Sequence, residues 1–139
     1  MLLVVLPSGL PEHVADTEPL SRFLTSDSHF NSFMPKPSAF MPGPSDSKTS
    51  VFRQAPDPLP ALWDIADREI ALTRRVRAVA VLVGADIRRA RLDVHAHEPP
   101  PRHANIVGWP SDARDPEKMR AQRKEIALLL AQAAALVCR

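Results

Sequence analysis

The chain has 139 residues, 45% apolar and 24% charged, with a formal net charge of +2; this is the size and composition of one ordinary domain with its own core, not of a disordered or fibrous chain. Its single cysteine, Cys138, excludes an internal disulfide, and the apolar run Leu2–Leu6 is too short to span a bilayer and lacks the basic start and cleavage site of an export signal. A cytoplasmic location with no membrane partner is therefore expected.

Charge and proline are unevenly spread. Residues 1–70 carry five Lys/Arg against nine Asp/Glu, and residues 71–139 carry thirteen against seven, so the second half is the side that attracts phosphates or acidic partners. Ten of the fifteen prolines lie in residues 1–60, yet all five phenylalanines fall there too, from Phe23 to Phe52. Disordered segments lack such anchors, so residues 1–57 read as an irregular but ordered part of one domain spanning 1–139, and 58–139 as its regular part.

In chain order, Met1–Leu6 reads as a short buried strand. Thr17 caps a short helix with Pro19 in its first turn and Leu20, Phe23 and Leu24 on its apolar face. Residues 26–48 form a long irregular stretch, packed by Phe30, Phe33, Phe40 and Met41. Residues 49–53 form a strand. A helix begins at Asp57 or Pro58 and runs to about Arg74, with Leu62, Ile65, Ala66, Ile70 and Trp63 on its stripe. Val76–Val83 is a buried strand, residues 85–90 a helical turn, and Leu92–His97 a half-buried strand with Asp93, His95 and His97 outward. Pro99–Pro101 predicts an extended polyproline connection, followed by a short strand at 104–107. A long helix starts at the Asp115 cap with Pro116 at its first position and runs to Val137, about 33 Å. Its stripe is Met119, Ile126, Leu130, Ala133 and Val137, and its last turns are apolar nearly all round, which predicts burial on more than one side. The fold class is α+β: one domain, a small mixed β-sheet (49–53, 76–82, 92–97, 104–107) covered by helices 58–73 and 116–137.

The densest polar segment runs from Arg102 to Pro110. It sets a guanidinium (Arg102), an imidazole (His103), a carboxamide (Asn105) and an indole (Trp109) close together, suited to clamping an anion, exchanging a proton and stacking a ring. The plainer account is a surface ion pair, backbone hydrogen bonds and a core tryptophan. His95 and His97 share a strand face and are weak metal candidates, since spacing i, i+2 without further ligands is equally a solvated polar face. Ser26, Asp27, Ser28 and His29 are sequential neighbours, which is not how a catalytic triad arises. Ser28, Lys36 and Arg53 are further candidates for lining a pocket along the irregular stretch. The clusters Arg74-Arg75-Val76-Arg77 and Arg88-Arg89-Ala90-Arg91 offer a phosphate-facing patch or simply a charged strand edge.

The pieces Arg22-Phe23-Leu24, Lys36-Pro37-Ser38-Ala39-Phe40, Ser50-Val51-Phe52-Arg53 and Arg102-His103-Ala104-Asn105-Ile106-Val107-Gly108-Trp109-Pro110 together resemble small uncharacterised bacterial proteins with the same order of segments, over residues 20–137. The resemblance implies a bacterial origin and carries no fold, activity or ligand. Three functional expectations follow from the residues. The first is a non-catalytic accessory or binding protein with an Arg/His/Trp site for a phosphate-bearing or nucleic-acid ligand. The second is a small hydrolase or transferase using His103 beside Arg102. The third is a protein-interaction subunit, or homo-oligomer, docking through the apolar C-terminal helix. No cofactor is named by any motif.

Overall fold

The computed structural model describes residues 4–43, 46–54, 59–70 and 74–139, with backbone alone for 59–61. The first three residues of the strand expected at Met1–Leu6, the start of the helix expected at Asp57 or Pro58, and that helix's last residues 71–73 lie outside the described residues.

The described elements are β1 (Pro19–Leu24), β2 (Thr49–Arg53), α1 (Leu59–Glu69), β3 (Ala78–Val83), α2 (Gly84–Arg89), β4 (Asp93–Ala96), β5 (His103–Val107), α3 (Pro116–Ala133) and β6 (Ala135–Cys138), with 3-10 turns at Asp27–His29 and Pro37–Ala39. The six strands form one sheet in the order β4-β5-β2-β1-β3-β6. Every pairing is antiparallel. The domain is α+β, as its sequence predicts, but the sheet is larger than expected and antiparallel instead of mixed.

Two strands replace predicted helix. Pro19–Leu24 is not the short helix that Thr17 and Pro19 suggest; it is β1, hydrogen-bonded to β2 on one side and β3 on the other. Both faces of a central strand are covered, so Leu20, Phe23 and Leu24 mimic a helical stripe while pointing to opposite sides, and Pro19 takes the first strand position, where a missing donor costs least. At the other end, α3 stops at Ala134 (φ −81°, ψ 146°), and residues 135–138 pair with Ala78–Val81 of β3. The apolar last turns of the expected helix are thus a strand, with Leu136 packed in one core and Val137 in the other. The start of α3 matches expectation: Asp115 accepts from the backbone N–H of Lys118, with Pro116 following.

Alternation divides the strands between two cores. On one face Leu20, Leu24, Val51, Ala80, Leu82 and Ile106 pack with Ile87 of α2, with Ala127, Leu130 and Ala131 of α3, and with Phe40 and Trp109. On the other, Phe23, Phe52 and Val79 pack with Leu62, Ile65 and Ala66 of α1. The buried line of α3 is Arg123, Ala127, Leu130 and Ala131, so Ala133 is not in it. Arg123 enters that line because its Nε donates to Pro110 O (2.7 Å) and its Nη2 to Ser47 Oγ (3.1 Å). Gly84 opens α2 against the chain at residues 15–16, where a Cβ would meet Ala15 O at 2.4 Å. Gly108, at φ +91°, turns the chain out of β5 in a conformation glycine alone adopts freely.

Three local expectations are corrected. Val4 and Val5 are exposed, and Val5 makes only an isolated bridge to Pro11, so the described residues 4–6 form no buried strand. Phe33 is 90% exposed, unlike the anchors Phe40 and Phe30. The Pro99–Pro101 connection is not extended: it carries cis bonds at Glu98–Pro99 and Pro99–Pro100 and closes a hairpin between β4 and β5.

Candidate functional site

Helix α1 covers the sheet over β1, β2 and β3 on its face. The rest of that face, over β4, β5 and β2, carries polar side chains. Register sets Ser50 opposite Asn105 and Phe52 opposite His103, and His95 opposite Asn105. Same-face cross-strand neighbours lie within contact range, so His103, Asn105, His95 and Ser50 share one polar surface.

His103 is its centre. Its Nδ1 lies 2.8 Å from the backbone carbonyl of His97, and its Nε2 lies 2.5 Å from Ser50 Oγ. A carbonyl only accepts, so Nδ1 carries the proton, Nε2 is the acceptor, and Ser50 donates its hydroxyl hydrogen. The ring is held edge-on by Phe52 at 5.4 Å and by His97 at 5.3 Å, and His97 Nδ1 stands 3.2 Å from His103 Nδ1. Burial, with the neighbouring His97, lowers the His103 pKa below the ordinary histidine value, although the bond to the His97 carbonyl opposes the shift.

Beside Ser50 a cleft of about 260 Å³ opens between the end of α1 and strands β1 and β2. Phe23, Phe52 and Ile70 form its apolar wall, and Arg22, Arg74, Glu69, Thr25 and Ser50 supply its polar groups. Arg22 is there because the β1–β2 ladder holds only Leu20↔Arg53 and Ser21↔Phe52. Beyond those pairs its guanidinium fills the opening, with Nε donating to Ala39 O and Nη1 to Ser50 O, both at 2.9 Å. The Ser50 carbonyl thereby gains a donor the ladder no longer supplies. Burial lowers the Arg22 pKa. Burial, then the charges of Arg22 and Arg74, lower that of His29 nearby. Among the described residues neither Arg22 nor Arg74 forms an ion pair.

The sequence candidates are distributed differently. Arg53 is fully buried on the opposite face, bound to Glu18 through Nε (2.5 Å) and Nη2 (2.7 Å) and to Pro11 O through Nη1 (2.6 Å); it cannot line a pocket. Trp109 is 5% exposed in the α3-side core, its Nε1 without a partner, so it is not a stacking wall beside His103. Arg102 takes φ +70° and donates from Nη1 to Gln54 O (3.3 Å). Lys36 and Ser28 are exposed on the 27–39 segment, and Ser28 Oγ pairs with Ser26 Oγ. His95 is turned to Asp93 (3.3 Å) and His97 to His103. Among the described residues no three His, Cys, Asp or Glu are grouped to hold a metal ion.

Arg22, Ser50 and Phe52 are not site candidates in sequence, and Arg74 is one only within its basic cluster, because the cleft draws on β1, β2 and the end of α1 together. One signal for them exists: strand alternation at 49–53 sends Ser50 and Phe52 to the face opposite Val51 and Arg53. A larger cleft of about 590 Å³ lies beside β4 and includes Arg88 and His95. Its arginine is already spent on Asp16, Asp93 and the Val14 carbonyl. Comparison with known protein families, with curated proteins and with solved structures finds no match, so the reading of the cleft rests on its own geometry.

Proposed function

We propose that the protein binds a small phosphate-bearing ligand in the cleft between α1 and strands β1 and β2. The observation that carries this reading is the pair Arg22 and Arg74 on one concave surface. Arg53, Arg77, Arg88, Arg89 and Arg139 each meet a carboxylate; these two, like Arg75 and Arg91, meet none among the described residues, and these two share one lining. Among the described residues Glu69 is the only acidic side chain lining the cleft, so two guanidiniums face one carboxylate. An anion then supplies the missing charge, with planar N–H groups suited to phosphate oxygens, and Phe23, Phe52 and Ile70 pack against the ligand's apolar part. The ion pairing of Arg77, Arg88 and Arg89 breaks up the basic clusters, which favours a small ligand over a nucleic-acid strand. Among the described residues no helix is long and apolar enough to cross a membrane; a cytoplasmic, bacterial setting is part of the same reading.

Calorimetric titration of phenyl phosphate and of inorganic phosphate into the protein tests it. Binding that weakens with added salt, and about tenfold or more on Arg74→Gln, is the expected result; tenfold corresponds to about 1.4 kcal/mol. No binding at millimolar ligand, or binding indifferent to Arg74→Gln, overturns the reading.

A further inference from the structure

We propose that Ser50 is a nucleophile activated by His103, and that the cleft transfers the phosphoryl group of a phosphate monoester to Ser50 and then to water. The inference rests on the phosphate reading above and adds a reaction to it. An activated hydroxyl requires a base within hydrogen-bond reach and a third group that fixes the base's tautomer. Ser50 Oγ, His103 Nε2 and the His97 carbonyl meet that requirement, at 2.5 Å and 2.8 Å. The three come from β2, β5 and the end of β4, so they converge only through the fold, unlike the sequential group Ser26–His29. A cross-strand serine–histidine pair alone is unremarkable surface chemistry. This one lines a cleft with Arg74, and Arg22 holds the carbonyl of the same serine. Positive charge is therefore fixed beside the hydroxyl, where a transferring phosphoryl group needs it.

In the first step Ser50 Oγ forms a bond to phosphorus and the bond to the alcohol oxygen breaks. The hydroxyl proton passes to His103 Nε2 and from there to the departing oxygen. In the second step water attacks phosphorus, His103 takes its proton, the phosphorus–Oγ bond breaks, and the proton returns to Ser50. The products are the alcohol and inorganic phosphate. Arg74 holds the non-bridging oxygens throughout, with the charge of Arg22 beside them while its Nε and Nη1 stay on Ala39 O and Ser50 O.

The test uses p-nitrophenyl phosphate turnover, acid-quenched mass spectrometry of the intact chain, and calorimetric phosphate binding by the same proteins. Expected are turnover by the wild type, a phosphorylated Ser50 peptide after quenching, and a loss of about 10²–10⁴-fold in rate for His103→Gln. Ser50→Ala loses both the label and turnover. Turnover that survives Ser50→Ala overturns the proposal. A wild type that binds phosphate without turnover or label overturns it too and leaves the binding reading standing. Absence of both binding and turnover removes both.

Discussion

Arg53 and His103 show how little a side chain's type says about its task. Arg53 has the chemistry of an anion clamp, but it is the largest fully buried side chain among the described residues, and Glu18 with backbone carbonyls occupies its donors. Removing one partner of a buried pair leaves an uncompensated charge, whereas replacing both by apolar groups is often tolerated. Glu18→Ala is accordingly expected to cost about 3–5 kcal/mol in urea unfolding, and Glu18→Leu with Arg53→Met to recover most of that loss. His103 and His29 make a pH prediction. Both pKa values are lowered in the fold from 6.5, so folding binds fewer protons than the unfolded chain does. The stability they contribute is fully present above pH 6.5 and is lost as pH falls through the lowered values. The groups opposing protonation are Arg22 and Arg74 at His29, and His97 at His103. Urea unfolding across that range should show stability falling toward acid more steeply in the wild type than in a His29→Gln, His103→Gln variant. Equal slopes contradict the assignment.

At the scale of elements, α3 and β6 divide a segment that reads as one long helix. Leu128 and Leu129 are 42% and 53% exposed, while Leu130 is fully buried between Ala127 and Ala131. Leu130→Ala should therefore cost about 2–5 kcal/mol, and Leu129→Ala no more than about 1 kcal/mol; thermal unfolding separates the two. The start of α3 was legible because a cap and an N-terminal proline are local chemistry. Its end was not, because Leu136 and Val137 belong to opposite faces of a strand covered on both sides, and an apolar run has no period to distinguish helix from strand. β1 misled in the same way, with Leu20, Phe23 and Leu24 spaced like a helical stripe. β6 also closes the outer side of β3 and is tied down by Arg139, which bonds Asp67 of α1 (2.6 and 2.7 Å) and lies over the Trp63 ring. A chain ending at Ala134 leaves β3 with an open edge. Concentration-dependent association in gel filtration is the expected consequence, and a stable monomer of unchanged unfolding midpoint contradicts it.

For the whole molecule, the α+β class and six elements, β2, α1, β3, α2, β4 and β5, were readable from β-propensity, alternation, the helical stripe and turn residues. The central strand and one edge strand were not. The candidate site was half legible. The Arg102–Trp109 segment does hold the imidazole at the centre, but the turn at Gly108 takes Trp109 out of the strand into the α3-side core, while His103 stays on the opposite face of β5. The partners of His103 come from Ser50 and His97, and the charge beside it from Arg22 and Arg74. Only the sheet order β5-β2-β1 and the placing of α1 bring those residues together. The most direct test of this convergence is a phenyl phosphate titration followed in amide ¹H–¹⁵N spectra of the wild type and of Arg74→Gln. Saturable shifts confined to Phe23, Thr25, Ser50, Phe52, Ile70 and Arg74, lost in the variant, are predicted. Absent shifts, or shifts gathered at Arg75, Arg77 and residues 88–91, contradict the account.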